Sequence, residues 1–92
     1  MTGALALGAI GDANLELGNK DDALSYYKKA ANYDDNQFTA PVFMKKTAFV
    51  YELTGDYKAA AEIYHKLQTD FPNTQEGREA EKYIARSEAQ IK

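Results

Sequence analysis

The sequence contains no cysteine and no tryptophan, and it has one histidine and two prolines. Without cysteine the chain can form neither a disulfide nor a thiolate nucleophile, and a single histidine is too few for the ligand sets that usually hold zinc. The longest apolar stretch is interrupted at Asp12, short of the roughly 18 residues that a membrane-spanning helix requires. We therefore expect no cofactor, no metal and no membrane insertion by this chain.

The chain also lacks an excess of positive charge. Eleven Lys and Arg residues stand against fourteen Asp and Glu residues, which gives a net charge of −3 among 92 residues. Nucleic acids and anionic membranes are bound through positive charge, so the composition argues against both as partners. A single domain with one core is expected at this length, and we assign residues 1–92 to it.

A repeated pattern becomes visible when the sequence is compared with itself at a shift of 37 positions. Small, aromatic and turn residues then recur in the same order, and periods of 20 to 50 residues indicate stacked supersecondary units. Apolar residues within each copy recur at three and four positions, which is the period of a helix. The identical pairs are Gly18 and Gly55, Ala23 and Ala60, Tyr27 and Tyr64, Lys29 and Lys66, and Asn36 and Asn73.

This periodicity predicts five amphipathic helices. Helix one covers residues 4–17 and ends at Gly18, Pro41 lies in the first turn of helix three, Gly55 ends helix three, and Pro72 stops helix four. The predicted inward residues are Leu7, Ile10, Asn14 and Leu17 on helix one; Ala23, Tyr26 or Tyr27, and Ala30 on helix two; Met44, Thr47, Ala48 and Tyr51 on helix three; Ala60, Ile63, Tyr64 and Leu67 on helix four; and Ala80, Tyr83, Ile84, Ser87 and Ile91 on helix five.

Three polar residues are predicted to cap helix N-termini by accepting hydrogen bonds from free backbone N–H groups. Asn19 precedes helix two and Asp56 precedes helix four. Asn73, with Glu76 three residues on, has the spacing of a capping box before helix five.

The segment LGNKDDALSYYKKA at residues 17–30 resembles the second half of a tetratricopeptide repeat, whose pattern is Leu-Gly, then Ala, an aromatic residue and Ala. Residues 54–72 repeat that pattern and add the closing proline. The resemblance implies an all-α superhelix of two helical hairpins, 4–37 and 41–74, followed by a capping helix at 75–91. It also implies a non-enzymatic scaffold that binds a protein or peptide.

A narrower resemblance involves residues 36–43, 70–73 and 79–86. They look like the C-terminal end of bacterial, Bacteroidetes-like envelope proteins in which one transmembrane helix precedes tetratricopeptide repeats that face the periplasm. This resemblance implies that the chain is a capping piece of a longer, membrane-anchored solenoid on the periplasmic side. A cytoplasmic location is the alternative.

The partner-binding surface is predicted on the outward faces of helices one and three. In the family this face lines a concave groove, and an apolar patch flanked by charge suits a bound peptide or helix. Three interpretations stay open for it: a groove, a surface covered by a further repeat or a second copy, and plain exposed apolar residues. The predicted residues are Leu5, Asp12, Leu15 and Glu16 on helix one, and Val42, Lys45, Phe49, Glu52 and Leu53 on helix three.

The residues that could support catalysis are few. His65 has no cysteine or serine partner in the pattern, and the acidic pairs at 21–22 and 34–35 stand at helix ends, where carboxylates are common. The family's subtype that clamps chaperone C-termini is also disfavoured, because Gly8 and Asp12 occupy positions where that subtype has Lys and Asn. We therefore expect neither an enzyme nor a carboxylate clamp.

Overall fold

The computed structural model describes residues 3–34 and 36–91, and this part of the chain forms five α-helices without a strand. Consecutive helices pack against each other, and α3 also contacts α5. Short connections make neighbouring helices antiparallel, so the chain stacks as hairpin upon hairpin. The helices are α1 (Ala4–Glu16), α2 (Lys20–Tyr33), α3 (Ala40–Leu53), α4 (Tyr57–Asp70) and α5 (Gln75–Glu88). The all-α repeat architecture expected from the sequence is confirmed.

The turn inside each hairpin is built in the same way. Gly18 has φ of 82° and Gly55 has φ of 85°, a left-handed conformation that favours glycine. In each turn the glycine N–H and the following N–H donate to carbonyls of the last helical turn, with Asn19 N to Asn14 O at 2.8 Å and Asp56 N to Tyr51 O at 2.9 Å. These bonds satisfy carbonyls that the helix end would leave unpaired, so both glycines terminate their helices as predicted.

Of the three predicted caps, one is confirmed and two are wrong. Asp56 accepts a hydrogen bond from the Ala59 N–H at 3.2 Å. The cap of α5 is Thr74 instead of Asn73, because helix α5 begins at Gln75 and Thr74 Oγ1 accepts from the Gly77 N–H at 3.0 Å. Asn19 makes no side-chain cap.

The core consists of two adjoining clusters that the helices share. The first contains residues of α1, α2 and α3: Ala4, Ala23, Tyr27, Ala30, Phe43 and Val50. The second contains residues of α3, α4, the following turn and α5: Ala40, Ala48, Ala60, Tyr64, Leu67, Phe71, Ala80 and Ile84. Because α3 contributes to both clusters, it is the helix through which the two hairpins are joined.

The predicted inward face of helix one is confirmed at Leu7, which packs against the first core cluster, and wrong at Ile10 and Leu17. Ile10 is 43% exposed and Leu17 is 76% exposed, whereas Gly8 and Gly11 are buried. A Cβ on Gly8 would lie 2.1 Å from the ring of Phe43, so the ring occupies the space of the missing side chain. The glycines of α1 therefore face the core, because aromatic rings of α2 and α3 fill the space that their missing side chains leave.

The inward residues of the other helices are largely confirmed. Tyr27, and not Tyr26, is the buried tyrosine of α2, and the predicted residues of α4 are buried or pack against the core. Ile91 is 44% exposed, so its predicted inward position is wrong. Phe43 and Val50 are buried residues that the pattern did not single out.

Ala60 offers a test of the close packing in the second cluster, because it has no exposed surface. Replacing it with leucine adds three carbon atoms where neighbouring helices leave no room. We expect Ala60→Leu to lower the free energy of unfolding by about 1–3 kcal/mol in chemical denaturation. The exposed Ala85 of α5 supplies the control, since Ala85→Leu adds the same atoms in solvent. Equal stability of the two variants would contradict close packing at Ala60.

Candidate functional site

A groove of about 410 Å³ runs between α3 and α5. Its α3 side is formed by Val42, Lys45, Lys46 and Phe49, and its α5 side by Glu76, Tyr83 and Arg86, with Tyr64 of α4 between them. A second depression of about 300 Å³ continues from Phe49 toward the end of α3 and is lined by Phe49, Glu52, Leu53, Tyr57, Arg86 and Gln90. The structure thus brings all five predicted residues of helix three to one continuous surface, which we call the α3–α5 groove.

The exposed apolar part of this groove is centred on Phe49. Its side chain is 46% exposed, Leu53 one turn further on is 44% exposed, and Val42 is half-buried. Lys45 and Glu52 flank these residues with opposite charges. The arrangement is an apolar strip with a polar border, which resembles the anatomy of protein interfaces.

The four predicted residues of helix one do not form one surface. Leu15 packs against the first core cluster, whereas Leu5 is 70% exposed. Ten residues separate them, and at 100° per residue they point about 80° apart. Leu5 lines a separate depression beside Tyr33 and Asp34. The expectation that Leu5 and Leu15 share a face is therefore wrong, and Glu16 is exposed near the end of the helix.

Asp12, the remaining residue of that set, is occupied by contacts within the chain. Its carboxylate accepts a hydrogen bond from the hydroxyl of Tyr27 on α2 and binds Lys46 Nζ of α3 at 2.9 Å. Partial burial raises the pKa of Asp12, but the hydrogen bonds from Tyr27 and Lys46 and the charge of Lys46 outweigh it and hold that pKa below its ordinary value. Burial raises the pKa of Tyr27, and the hydrogen bond to Asp12 and the charge of Asp12 raise it further. Asp12 thus joins three helices.

Glu52 plays the same part in the second hairpin. It accepts hydrogen bonds from Tyr64 Oη of α4 at 2.8 Å and from Ser87 Oγ of α5 at 3.0 Å. Arg86 of α5 binds both carboxylate oxygens, at 2.6 and 3.0 Å. Burial raises the pKa of Glu52, but the bonds from Arg86, Tyr64 and Ser87, with the charge of Arg86, keep that pKa below its ordinary value.

We call the contacts of Asp12 the first junction and those of Glu52 the second junction. The two share one arrangement of acid, tyrosine and base, but in the second the acid and the base are displaced by about one helical turn. Tyr27 and Tyr64 occupy equivalent positions at the shift of 37, but the equivalent of Asp12 is position 49 and the acid stands at 52. The equivalent of Lys46 is position 83, and the base stands at 86. Acid and base have moved together by three residues, so both still meet the tyrosine. Comparing the sequence with itself at the single shift of 37 does not align these acids and bases. Allowing a further displacement of one helical turn would have aligned them.

A group of cations surrounds Tyr83 on the α5 side of the groove. Lys45, Lys82 and Arg86 place their charges 4.9–5.2 Å from the ring centroid, within reach of cation–π attraction. Glu79 lies 3.7 Å from Lys45 Nζ. The ring of Tyr83 itself packs 5.3 Å from that of Tyr64. The groove wall therefore combines an aromatic surface with positive charges.

The described residues contain no group of three or more His, Cys, Asp or Glu side chains placed to hold a metal ion. His65, the residue considered for catalysis, lies on the surface with Nε2 3.3 Å from Glu88. Within residues 3–34 and 36–91, no helix has the length and apolarity needed to cross a bilayer.

Comparison with known proteins agrees with the geometry of the hairpins. The sequence model described as tetratricopeptide repeat matches residues 9–36 and again residues 46–74, which together cover more than half of the chain. Each match contains one glycine turn and one of the two buried tyrosines. A comparison with curated proteins found no match.

The lowered pKa of Glu52 makes the second junction sensitive to acid. A carboxyl with a lowered folded-state pKa stabilises the fold fully above its unfolded value, here about 4.5, and loses that contribution as the pH falls through the folded-state pKa. We expect Glu52→Gln to reduce the free energy of unfolding by about 1–3 kcal/mol at pH 7, because buried hydroxyls lose a charged acceptor. Its difference from the wild type should shrink below pH 4.5.

The exposed Glu81 of α5 gives the matched control, since Glu81→Gln removes the same charge without breaking a junction. Urea denaturation between pH 3 and 7, about the range over which carboxyls titrate, measures both effects. If the free energies of unfolding of the wild type and of Glu52→Gln change in parallel between pH 3 and 7, about the carboxyl titration range, the assigned role of Glu52 is contradicted.

Proposed function

The chain belongs to the tetratricopeptide repeat family, and from that premise we propose that it is a scaffold whose α3–α5 groove holds a segment of a partner protein or of a second copy. Repeats of this family are non-catalytic and generally mediate protein–protein interaction. The proposal concerns where and how this chain does so. It assigns residues 4–37 and 41–74 to two repeats and 75–91 to the cap that completes the groove.

The apolar strip at Phe49 and Leu53 carries this proposal. Both side chains are large, more than two-fifths exposed, and lie on a helix whose opposite side is buried in the core. A rigid aromatic residue bordered by charged groups is a common anchor of a binding interface. The proposed contact residues are Val42, Lys45, Phe49, Glu52 and Leu53.

Helix one contributes less to the proposed surface than the sequence pattern indicated. Asp12 supports the groove indirectly, because it holds Lys46 at the groove wall. Leu15 belongs to the core, and Leu5 lines a separate depression. We therefore centre the proposed site on α3 and α5.

Phe49→Glu tests the groove, because it places a charge where an apolar partner side chain would be buried. We expect at least about a tenfold loss of affinity for partner segments, or of self-association, without a change in helix content. Light scattering over a tenfold concentration range measures self-association. Synthetic peptides made from captured and sequenced partners measure binding.

The control for this test is Leu17→Glu, which adds the same charge at an exposed apolar residue outside the groove. It should leave binding at the groove intact. If Phe49→Glu and wild type bind and associate equally well, the groove is not the partner site.

A second candidate function is structural, as the capping part of a longer solenoid. The repeat register favours it: Thr47 and Val50 of α3 are buried, whereas their equivalents on α1, Ile10 and Ala13, are exposed. A further hairpin packed on α1 would cover these positions, much as the first hairpin covers α3. The membrane-anchored envelope context, with a bacterial origin and a periplasmic location, belongs to this candidate and rests on the resemblance of the C-terminal segments.

This candidate is tested by joining a tetratricopeptide hairpin ahead of Gly3 in the repeat register. The fused protein should melt at a higher temperature, because α1 gains a neighbour. Ile10→Lys should then destabilise the fused protein by about 2 kcal/mol or more, through a buried unpaired charge, and leave the original chain almost unchanged. Similar effects of Ile10→Lys in both proteins would mean that α1 does not accept a neighbour on this face.

A further inference from the structure

Phe38 is the most exposed large apolar residue of the described chain, with 87% of its surface accessible. It lies between α2 and α3 in a turn organised by Asn36. The Asn36 side-chain oxygen accepts hydrogen bonds from the backbone N–H of Phe38 at 2.8 Å and of Thr39 at 2.7 Å. Its amide group also donates to Thr39 Oγ1 at 2.9 Å. The ring is therefore presented to solvent on an ordered turn.

Single exposed apolar residues are ordinary on protein surfaces. Phe38 differs because a pocket of suitable size and chemistry lies next to its turn. The pocket has a volume of about 240 Å³, smaller than most sites for drug-sized ligands and suited to one large side chain. Ala40, only two residues after Phe38, is part of its lining.

The pocket has an apolar floor and a positively charged rim. It lies between α2 and α4 with α3 beneath, and its apolar lining is formed by Ala31, Ala40, Met44, Ile63 and Phe71. Lys28 and Lys66 stand at the rim together with one carboxylate, Asp70. In the described part of the chain, neither lysine has a carboxylate within ion-pair distance.

The turn that carries Phe38 has the complementary charge. Asp34 is exposed and shares a depression with Asn36 and Thr39, the residues that hold the turn. A phenyl ring on a turn with an exposed carboxylate would match an apolar pocket whose rim carries two lysines and one carboxylate, and therefore an excess of one positive charge. This charge complementarity points to a second copy of the chain as the occupant.

We propose that Phe38 of one copy inserts into the pocket between α2 and α4 of a second copy, and that the second copy does the same in return. Because Ala40 lines the pocket two residues after Phe38, the ring and the pocket belong to neighbouring parts of the chain, and two copies related by a twofold axis can exchange both contacts in a closed dimer. Asp34 of each copy then faces Lys28 and Lys66 of the other. This contact is distinct from the α3–α5 groove.

Sedimentation and light scattering from about 10 µM to about 1 mM test the proposal, since a contact built on one anchor per copy gives weak association. The wild type should shift from monomer to dimer across this range. Phe38→Ala should raise the dissociation constant by about tenfold or more, as expected for a truncated anchor. The matched control is Leu17→Ala, which truncates an exposed apolar side chain outside both the pocket and the α3–α5 groove and should leave this dimer intact.

Charge-reversal variants test the proposed dimer contact independently of Phe38. Asp34→Lys and Lys66→Glu should each weaken the dimer, because like charges then face each other across the twofold axis. The double variant should recover association, because the pair is restored with its signs exchanged. Circular dichroism confirms that the variants keep their helix content.

Three outcomes overturn the proposal. The first is a wild type that stays monomeric up to the highest concentration. The second is a dimer that Phe38→Ala leaves unchanged. The third is a dimer that Phe49→Ala weakens while Phe38→Ala does not, which would instead place self-association in the α3–α5 groove. A failure of the groove proposal alone would leave the response to Phe38→Ala unchanged.

Discussion

The stack of helices depends on two tyrosine hydroxyls that are removed from solvent and must find acceptors. Tyr27 and Tyr64 each meet a carboxylate from the other helix of their own hairpin, Asp12 and Glu52. Each carboxylate in turn binds a cation from the next helix along the array. The Glu52 side chain is only 10% exposed, so its carboxylate is costly without a cation and the second hairpin is satisfied only when α5 is in place. Asp12 is 48% exposed, so its bond to Lys46 contributes less. The polar junctions thereby specify an alignment that apolar packing alone would leave looser.

The same junctions determine the surface available for binding. Arg86 binds Glu52 and also stacks on Tyr83, so the bond that attaches α5 to the second hairpin also shapes one wall of the α3–α5 groove. Lys46, held by Asp12, lines the opposite wall. The proposed binding residues therefore stand on helices that a second layer of hydrogen bonds supports, an arrangement that would keep the ordering cost of binding small.

The sequence was sufficient to predict the repeat, the five helices and most buried residues of α2, α4 and α5, because small and aromatic residues recur at fixed spacing. It was wrong for much of α1, where the buried face carries Gly8 and Gly11 and the apolar pattern favoured the exposed Ile10 and Leu17. The space for Phe43 is created by an absent side chain, which periodicity cannot register. The pattern was enough to place the helix-three residues of the proposed site on one surface. The partners of Glu52 required the one-turn displacement of the second junction.

Helix α3 separates two surfaces that serve different contacts in our proposals. Val42, Lys45 and Phe49 lie on the groove side, while Ala40, Met44 and Thr47 line the pocket next to Phe38. At 100° per residue these two sets point to opposite sides of the helix. A partner segment in the groove and a second copy at the pocket would therefore not compete for the same residues. Since α3 also contributes to both core clusters, the two proposed contacts would rest on one packed helix, and neither would require the hairpins to move apart.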